Sequence, residues 1–235
     1  MKKKYKNILV YSGGEAIGDA LYKLNFIQNL RYNFPNSKII WLAGQGKTEY
    51  SYTLKPLIYK LIDEVIDNIR IGAKPVREII KSSPIKEEFD VIIDTQTVLL
   101  TTLVLKKIKH KIFISASAKW MFSDLKPDDF SIKRSSLNDR LNTFIKLINN
   151  NEIKYYKNDI KLEEKYAKLS NTLLPKGKTY IGIAPGAGDK TKIWPLKKFI
   201  KLAQIQVDKH RNPVFFLGPD EKNLLKIIKK DVPQA

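Results

Sequence analysis

Short apolar runs recur along the chain, each followed by a stretch whose apolar residues return at helical spacing. NILVYS (7–12), KIIWLAG (38–44), DVIIDTQ (90–96) and KIFISA (111–116) are rich in Ile and Val and bounded by turn residues, which predicts buried strands. YIGIAPG (180–186) and PVFFLGP (213–219) read the same way. Between the first two strands, DALYKLNFIQNLRYNF (19–34) spaces Leu21, Leu24, Ile27 and Leu30 as the apolar stripe of a helix. VREIIKSS (76–83), TVLLTTLVLKKI (97–108), EEKYAKLSNTLLP (163–175) and PLKKFIKLAQIQVDKH (195–210) predict further helices. Strand–helix alternation implies parallel sheets with helices on both faces, an α/β class.

The segment 150–178 is polar and places a domain boundary between about 160 and 178. The expected division is a Rossmann-like domain over 1–165 and the start of a second one over 178–235. The second holds only two strands and two helices. A parallel pair this apolar needs cover on both faces and further neighbours. The chain is therefore expected to be a piece of a longer protein or a shortened one.

Composition narrows the chemistry. With 43% hydrophobic residues over 235 positions the chain is globular. It has no cysteine, which excludes a disulfide scaffold, a thiolate metal site and a Cys nucleophile. His110 and His210 alone supply zinc sites and triads poorly, and no metal site is expected. MKKKYKNILVYSGG has the charge-then-apolar order of a signal peptide, but its apolar run is too short and a glycine turn follows at once. Nothing approaches the roughly 20 apolar residues of a membrane span. A cytoplasmic location is expected. The net charge of +19 fits nucleic acid, an anionic membrane surface or phosphorylated ligands, and equally fits lysines scattered over solvated faces. The densest basic cluster is at the very N-terminus.

SGGEAIGDAL (12–21) follows the first strand and opens the first helix, where ligands sit in doubly wound folds. Gly13 and Gly14 are expected to take positive φ in the turn, and Gly18 to admit a ligand closely. The Gly13-x4-Gly18 spacing is that of a P-loop, yet Asp19 and Ala20 stand where Lys and Ser or Thr are needed. Glu15 occupies the second glycine of G-x-G-x-x-G, and Trp41 disqualifies GQGKT (44–48). Both ATPase readings are excluded. Asp19 remains, an acid in the first turn of a helix at the sheet's crevice; it either caps the helix or serves as general base toward a hydroxyl.

PGAGDKTKIWP (185–195) lies between a strand and a helix, with Pro195 expected in the helix's first turn. Gly186 and Gly188 expose backbone N–H groups, and Lys190, Thr191 and Lys192 add donors and charge. An ordinary connection with solvated lysines is the alternative; a diphosphate, especially one gaining charge as a bond to it breaks, fits better. Trp194 is expected in core packing or as a staple at the helix entry. In PVFFLGPDEKN (213–223) a helix is expected to begin with Asp220 and Glu221, which suit its dipole, while Gly218 would let the chain pass close to a nucleotide.

Taken in order, these segments resemble the glycosyltransferase family that contains the ADP-heptose:lipopolysaccharide heptosyltransferases. The carriers are IGDALYKLNFIQNLRYNFPNSKIIWLAG (17–44), FDVIIDTQ (89–96), IGIAPGAGDKTKIWPLKKF (181–199) and FFLGPDEKN (215–223). The resemblance implies a GT-B-like fold of two facing Rossmann-like domains, the first taking the acceptor and the second the nucleotide sugar. It assigns Asp19 to the family's catalytic base and Lys192 to its donor-phosphate ligand. Where family members carry hydroxyl residues, this chain has Ala187 and Gly188, so phosphate contacts would come from the backbone and Thr191. The family's Asp-(Ser/Thr)-Gly segment with its following His has no counterpart here. The implied reaction is inverting, metal-independent transfer of a heptose from ADP-heptose, with no further cofactor. The implied acceptor is a phosphorylated, lipid-linked glycan such as a lipopolysaccharide core, met at the cytoplasmic face of the inner membrane by a peripherally bound protein. Two rival readings are a non-catalytic sugar-nucleotide-binding relative and a basic nucleic-acid-binding protein, for which no recognition module is found.

Overall fold

The computed structural model describes residues 4–128, 136–157 and 163–235, and the chain divides into two compact units, Met1–Ile160 and Lys161–Ala235. The first unit thus ends before the expected limit at 165, and the helix read at 163–175 belongs to the second. Of the N-terminal basic cluster, Lys4 and Lys6 are among the described residues and Lys2 and Lys3 lie outside them.

The first unit holds five strands: β1 (Asn7–Ser12), β2 (Lys38–Ala43), β3 (Glu64–Asp67), β4 (Phe89–Asp94) and β5 (His110–Ser115). They form one sheet in the order β3-β2-β1-β4-β5, every pair parallel. In register, Val10 of β1 lies between Trp41 of β2 and Ile93 of β4. The helices are α1 (Ile17–Asn33), α2 (Pro75–Ile80), α3 (Leu99–Leu105) and α4 (Leu137–Ile148). Alternation along β1 separates two cores: Ile8 and Val10 pack with Phe26, Ile27, Leu30, Phe144 and Ile145, while Leu9 and Tyr11 pack with Ile71, Val104 and Leu105. Burial on both faces is why these strands read as unbroken apolar runs.

Two elements were not predicted. EVID (64–67) is short and begins and ends with an acid, so nothing in it signals a strand. Helix α4 did carry signals: Ser136 and Asp139 form a reciprocal capping box, and Leu141, Phe144, Ile145 and Ile148 are buried at helical spacing. The α1 stripe is also not the expected one. Leu24, Ile27 and Leu30 are buried, but Leu21 is exposed and Lys23, Asn29 and Asn33 take buried places. Asn29 Nδ2 donates to Asn142 Oδ1 at 3.1 Å. Asn33 Nδ2 donates to the Lys154 carbonyl at 2.8 Å, and Lys154 N donates back to Asn33 Oδ1 at 3.0 Å. These amides imitate a backbone edge for the chain returning from α4, which is how polar residues occupy a core-facing stripe.

In the second unit β6 (Tyr180–Ile183) pairs parallel with β7 (Asn212–Phe215), accompanied by α5 (Glu164–Leu173), α6 (Leu196–Asp208) and α7 (Leu225–Asp231). Its core is built on Ile183, Ile200, Ala203 and Val232. Pro195 is the N-cap of α6 rather than a first-turn residue. Asp220 and Glu221 do not open a helix directly: they lie in a 3-10 turn, Pro219–Leu224, that precedes α7. Among the described residues no helix is long and apolar enough to cross a membrane.

Candidate active site

The strand order of the first sheet reverses at β1, whose neighbours are β2 on one side and β4 on the other. Chains leaving β1 and β4 diverge there and open a crevice at the carboxyl ends of the strands. Gly13 and Gly14 cross its floor. Gly14 takes φ 118°, and a Cβ on it would stand 2.8 Å from the Lys47 carbonyl, so the turn requires glycine. Gly13 does not share the positive φ expected of it. A Cβ there would meet the Gln45 and Gln96 side chains at 3.7 and 3.8 Å, ordinary contact, so its smallness is not required by the turn. Gly18, inside α1, faces open space.

Asp19 is exposed in the first turn of α1, and the N-cap residue, Ala16, makes no side-chain capping bond. The start of the helix is fixed instead by the residue just before it. Buried Glu15 receives Lys23 Nζ at 3.0 Å, Thr48 Oγ1 at 2.6 Å and Trp41 Nε1 at 3.3 Å. Lys23 also donates to Ser12 Oγ at 2.8 Å, tying helix to strand. Glu15, which the glycine pattern singled out only as an interruption, is the anchor for the head of α1, the turn on which Asp19 is exposed.

The segment between β3 and α2 forms a second feature that sequence reasoning missed. Asn68, Arg70 and Gly72 all take left-handed backbone, with φ of 59°, 56° and 81°. Buried Tyr11 donates its hydroxyl to the Ile71 carbonyl at 2.9 Å, and burial together with nearby Asp94 raises its pKa. Gln45 Nε2 donates to the Gly72 carbonyl at 3.0 Å. The Glu78 carboxylate accepts from the backbone N–H groups of Gly72 and Lys74 at 2.5 and 2.7 Å. The loop so held walls a cleft of about 330 Å³ lined by Gln45, Arg70, Lys74, Arg77, Glu78 and Lys81. Among the described residues none of its four cations has an acidic partner within 4.0 Å. No sequence motif marks this cleft, since its cations come from a loop, a helix and a helix end.

Beneath the crevice, burial pushes the Asp94 carboxyl up to about 6, against the pull of hydrogen bonds from Thr102 Oγ1 at 2.7 Å, Ser115 Oγ at 2.8 Å and Gln96 N. Asp94 is fully buried and joins β4, β5 and α3.

In the second unit, a cleft of about 400 Å³ is lined by Ala187, Gly188, Lys190, Trp194, Asp220 and Glu221 among others. Three of the expected loop residues thus share one cavity. Lys192 is exposed but is not part of that lining, and Thr191 is already engaged: its N–H and hydroxyl both donate to Asp189, at 2.9 and 2.8 Å. Those two bonds hold the Asp189 carboxyl below its ordinary range. Gly186 lies against the Glu221 side chain: a Cβ there would stand 2.4 Å from the carboxylate and would push that flexible acid aside. That carboxylate also accepts from Gly218 N at 2.8 Å, joining the two glycine turns. Trp194 is half-exposed at the cleft rather than in the core; it precedes the N-cap Pro195 and lies edge-on to Phe199 at 4.9 Å, the expected staple at the helix entry, with Lys198 over its face.

Residues 80–234 match glycosyltransferase family 9 (heptosyltransferase). The chain belongs to that family. The loop 185–192 and Gly218 of this family 9 glycosyltransferase fall inside the matched region, whereas Asp19 and the first glycine turn precede it. Solved structures share the fold. A glycosyl transferase family 9 protein from Veillonella parvula superposes with TM-score 0.66 at 19% identity, over 100% of this chain and 69% of that one. E. coli ADP-heptose lps heptosyltransferase II gives 0.58 at 15% identity, over 97% and 69%. E. coli heptosyltransferase WaaC, solved with ADP, gives 0.56 at 16% identity, over 95% and 71%. No curated protein matches the sequence.

Proposed function

We propose that this family 9 glycosyltransferase moves a heptose from ADP-heptose to a phosphorylated, lipid-linked glycan on the cytoplasmic side of the inner membrane, with inversion and without a metal. The observation that carries the reading is the pairing, in one cleft, of a glycine-lysine loop with a carboxylate. Gly188 and Lys190 offer donors to a diphosphate. Glu221 and Asp220 repel phosphate but accept hydrogen bonds from vicinal ribose hydroxyls, a role acids take in nucleotide-binding folds. A nucleoside diphosphate carries both groups about one sugar apart. That WaaC is solved with ADP and with ADP-2-deoxy-2-fluoro heptose supports this donor class.

In the reaction Asp19 takes the proton of an acceptor hydroxyl as its oxygen attacks the anomeric carbon. The bond from that carbon to the diphosphate breaks with inversion, and the departing oxygen gains charge. Lys190 and Lys192 stabilise it, each charged donor contributing on the order of 2.7–4 kcal/mol in the transition state. Asp19→Asn should abolish transfer while leaving ADP affinity, read by titration calorimetry, unchanged; normal transfer would remove Asp19 from the role of base. Lys190→Ala and Lys192→Ala should each weaken ADP binding. ADP bound tightly by a chain that neither transfers nor hydrolyses the donor would favour the non-catalytic, sugar-nucleotide-binding reading.

A further inference from the structure

The outer face of α2 is unusual for a solvated helix. Val76 and Ile80, one turn apart, are 65% and 86% exposed, and Arg77 and Lys81, each the next residue along the chain, are exposed on the adjoining stripe. Arg70 and Lys74 line the cationic cleft together with Arg77 and Lys81, and Val76 and Ile80 stand outside that lining on the same short helix. The face is held rigidly: Ile79 packs against the second core from the inner side, Glu78 fixes the preceding loop, and Lys107 Nζ donates to the carbonyls of Glu78, Ile79 and Lys81 at the helix end. Large aliphatics displayed on a fixed element, ringed by cations that lack acidic partners among the described residues, match one surface chemistry. The aliphatics reach the acyl boundary of a bilayer while the cations meet headgroup phosphates.

We propose that the α2 edge, Val76 and Ile80 with Arg70, Lys74, Arg77 and Lys81, is the surface by which the protein docks on an anionic bilayer. The surface rests on the reading of a lipid-linked acceptor for its purpose, since a cleft at the membrane would receive the acceptor's phosphorylated headgroup as it leaves the lipid plane. Its physical basis is independent of catalysis.

Flotation of the full chain with phosphatidylcholine vesicles, with and without phosphatidylglycerol, tests it. The wild type should float with the phosphatidylglycerol vesicles only, and salt should release it. Each surface cation is worth about fivefold in partitioning, so Lys74→Gln/Arg77→Gln/Lys81→Gln should weaken binding on the order of a hundredfold. Val76→Ser/Ile80→Ser, with every charge intact, should weaken it by about tenfold or more. The triple Lys226→Gln/Lys229→Gln/Lys230→Gln on α7 removes the same net charge elsewhere and should bind like the wild type. A loss from the α7 triple equal to that from the α2 triple would overturn the assignment in favour of undirected charge. So would unchanged binding by the Val76/Ile80 variant. A wild type that ignores phosphatidylglycerol vesicles would overturn it too, and an acidic protein would then be the fitting partner. Because the assay contains no sugar donor or acceptor and Asp19→Asn should float normally, failure here is separable from failure of the transferase reading.

Discussion

Removing the Glu15 carboxylate should be among the most damaging single changes in the first unit. Its side chain is fully buried, and Lys23 beside it is 11% exposed. In Glu15→Ala the ammonium keeps only Ser12 Oγ, while Thr48 Oγ1 and Trp41 Nε1 lose their acceptor. Breaking a buried ion pair from one side costs about 3–5 kcal/mol, because the remaining charge is stranded away from water. At about 2–4 °C per kcal/mol for a chain of this size, the melting temperature should fall by about 6–20 °C. Thermal unfolding followed by circular dichroism and tryptophan emission reads this, Trp41 being wholly buried beside the pair. The companion Glu15→Gln/Lys23→Met removes both charges and should recover much of the loss. A shift under about 2 °C for Glu15→Ala, or a double variant no better than the single, would refute the claim that this pair anchors the head of α1.

Asp94 should make stability fall as pH rises. Its folded value of about 6 lies above the ordinary 3.8, so the native state holds the proton more tightly than the unfolded chain does. Stability should decline between about pH 4 and 6, by up to about 3 kcal/mol, and level off above. Denaturant midpoints across that range should show the decline in the wild type and lose it in Asp94→Asn. Gly72→Ala places a Cβ 2.5 Å from the Tyr11 hydroxyl on backbone that L residues rarely adopt, and should lower the melting temperature by several degrees. Glu221→Ala should weaken ADP more than it weakens inorganic pyrophosphate, if the carboxylate reads ribose; equal effects on both ligands would count against that role.

Sheet and helices were legible wherever burial on both faces wrote itself as apolar runs. β1, β2, β4, β5, α1 and α6 follow from composition and spacing, and so does the left-handed turn at Gly14, though not the one expected at Gly13. Strand EVID was not legible, because a short edge strand takes its stability from pairing with β2 rather than from its own residues. The polar stripe of α1 was not either: Asn29 and Asn33 look solvated until the chain returning from α4 supplies their partners. The candidate site divides the same way. Sequence alone determined that an acid follows the first turn and that lysines crowd the second, because those residues are neighbours along the chain. Only the tertiary structure decided that Glu15 is an anchor, that Glu221 closes over Gly186, and that Arg70, Lys74, Arg77 and Lys81 share a cleft. Each of those contacts depends on where separate turns meet in space, a distance that spacing along a chain does not record.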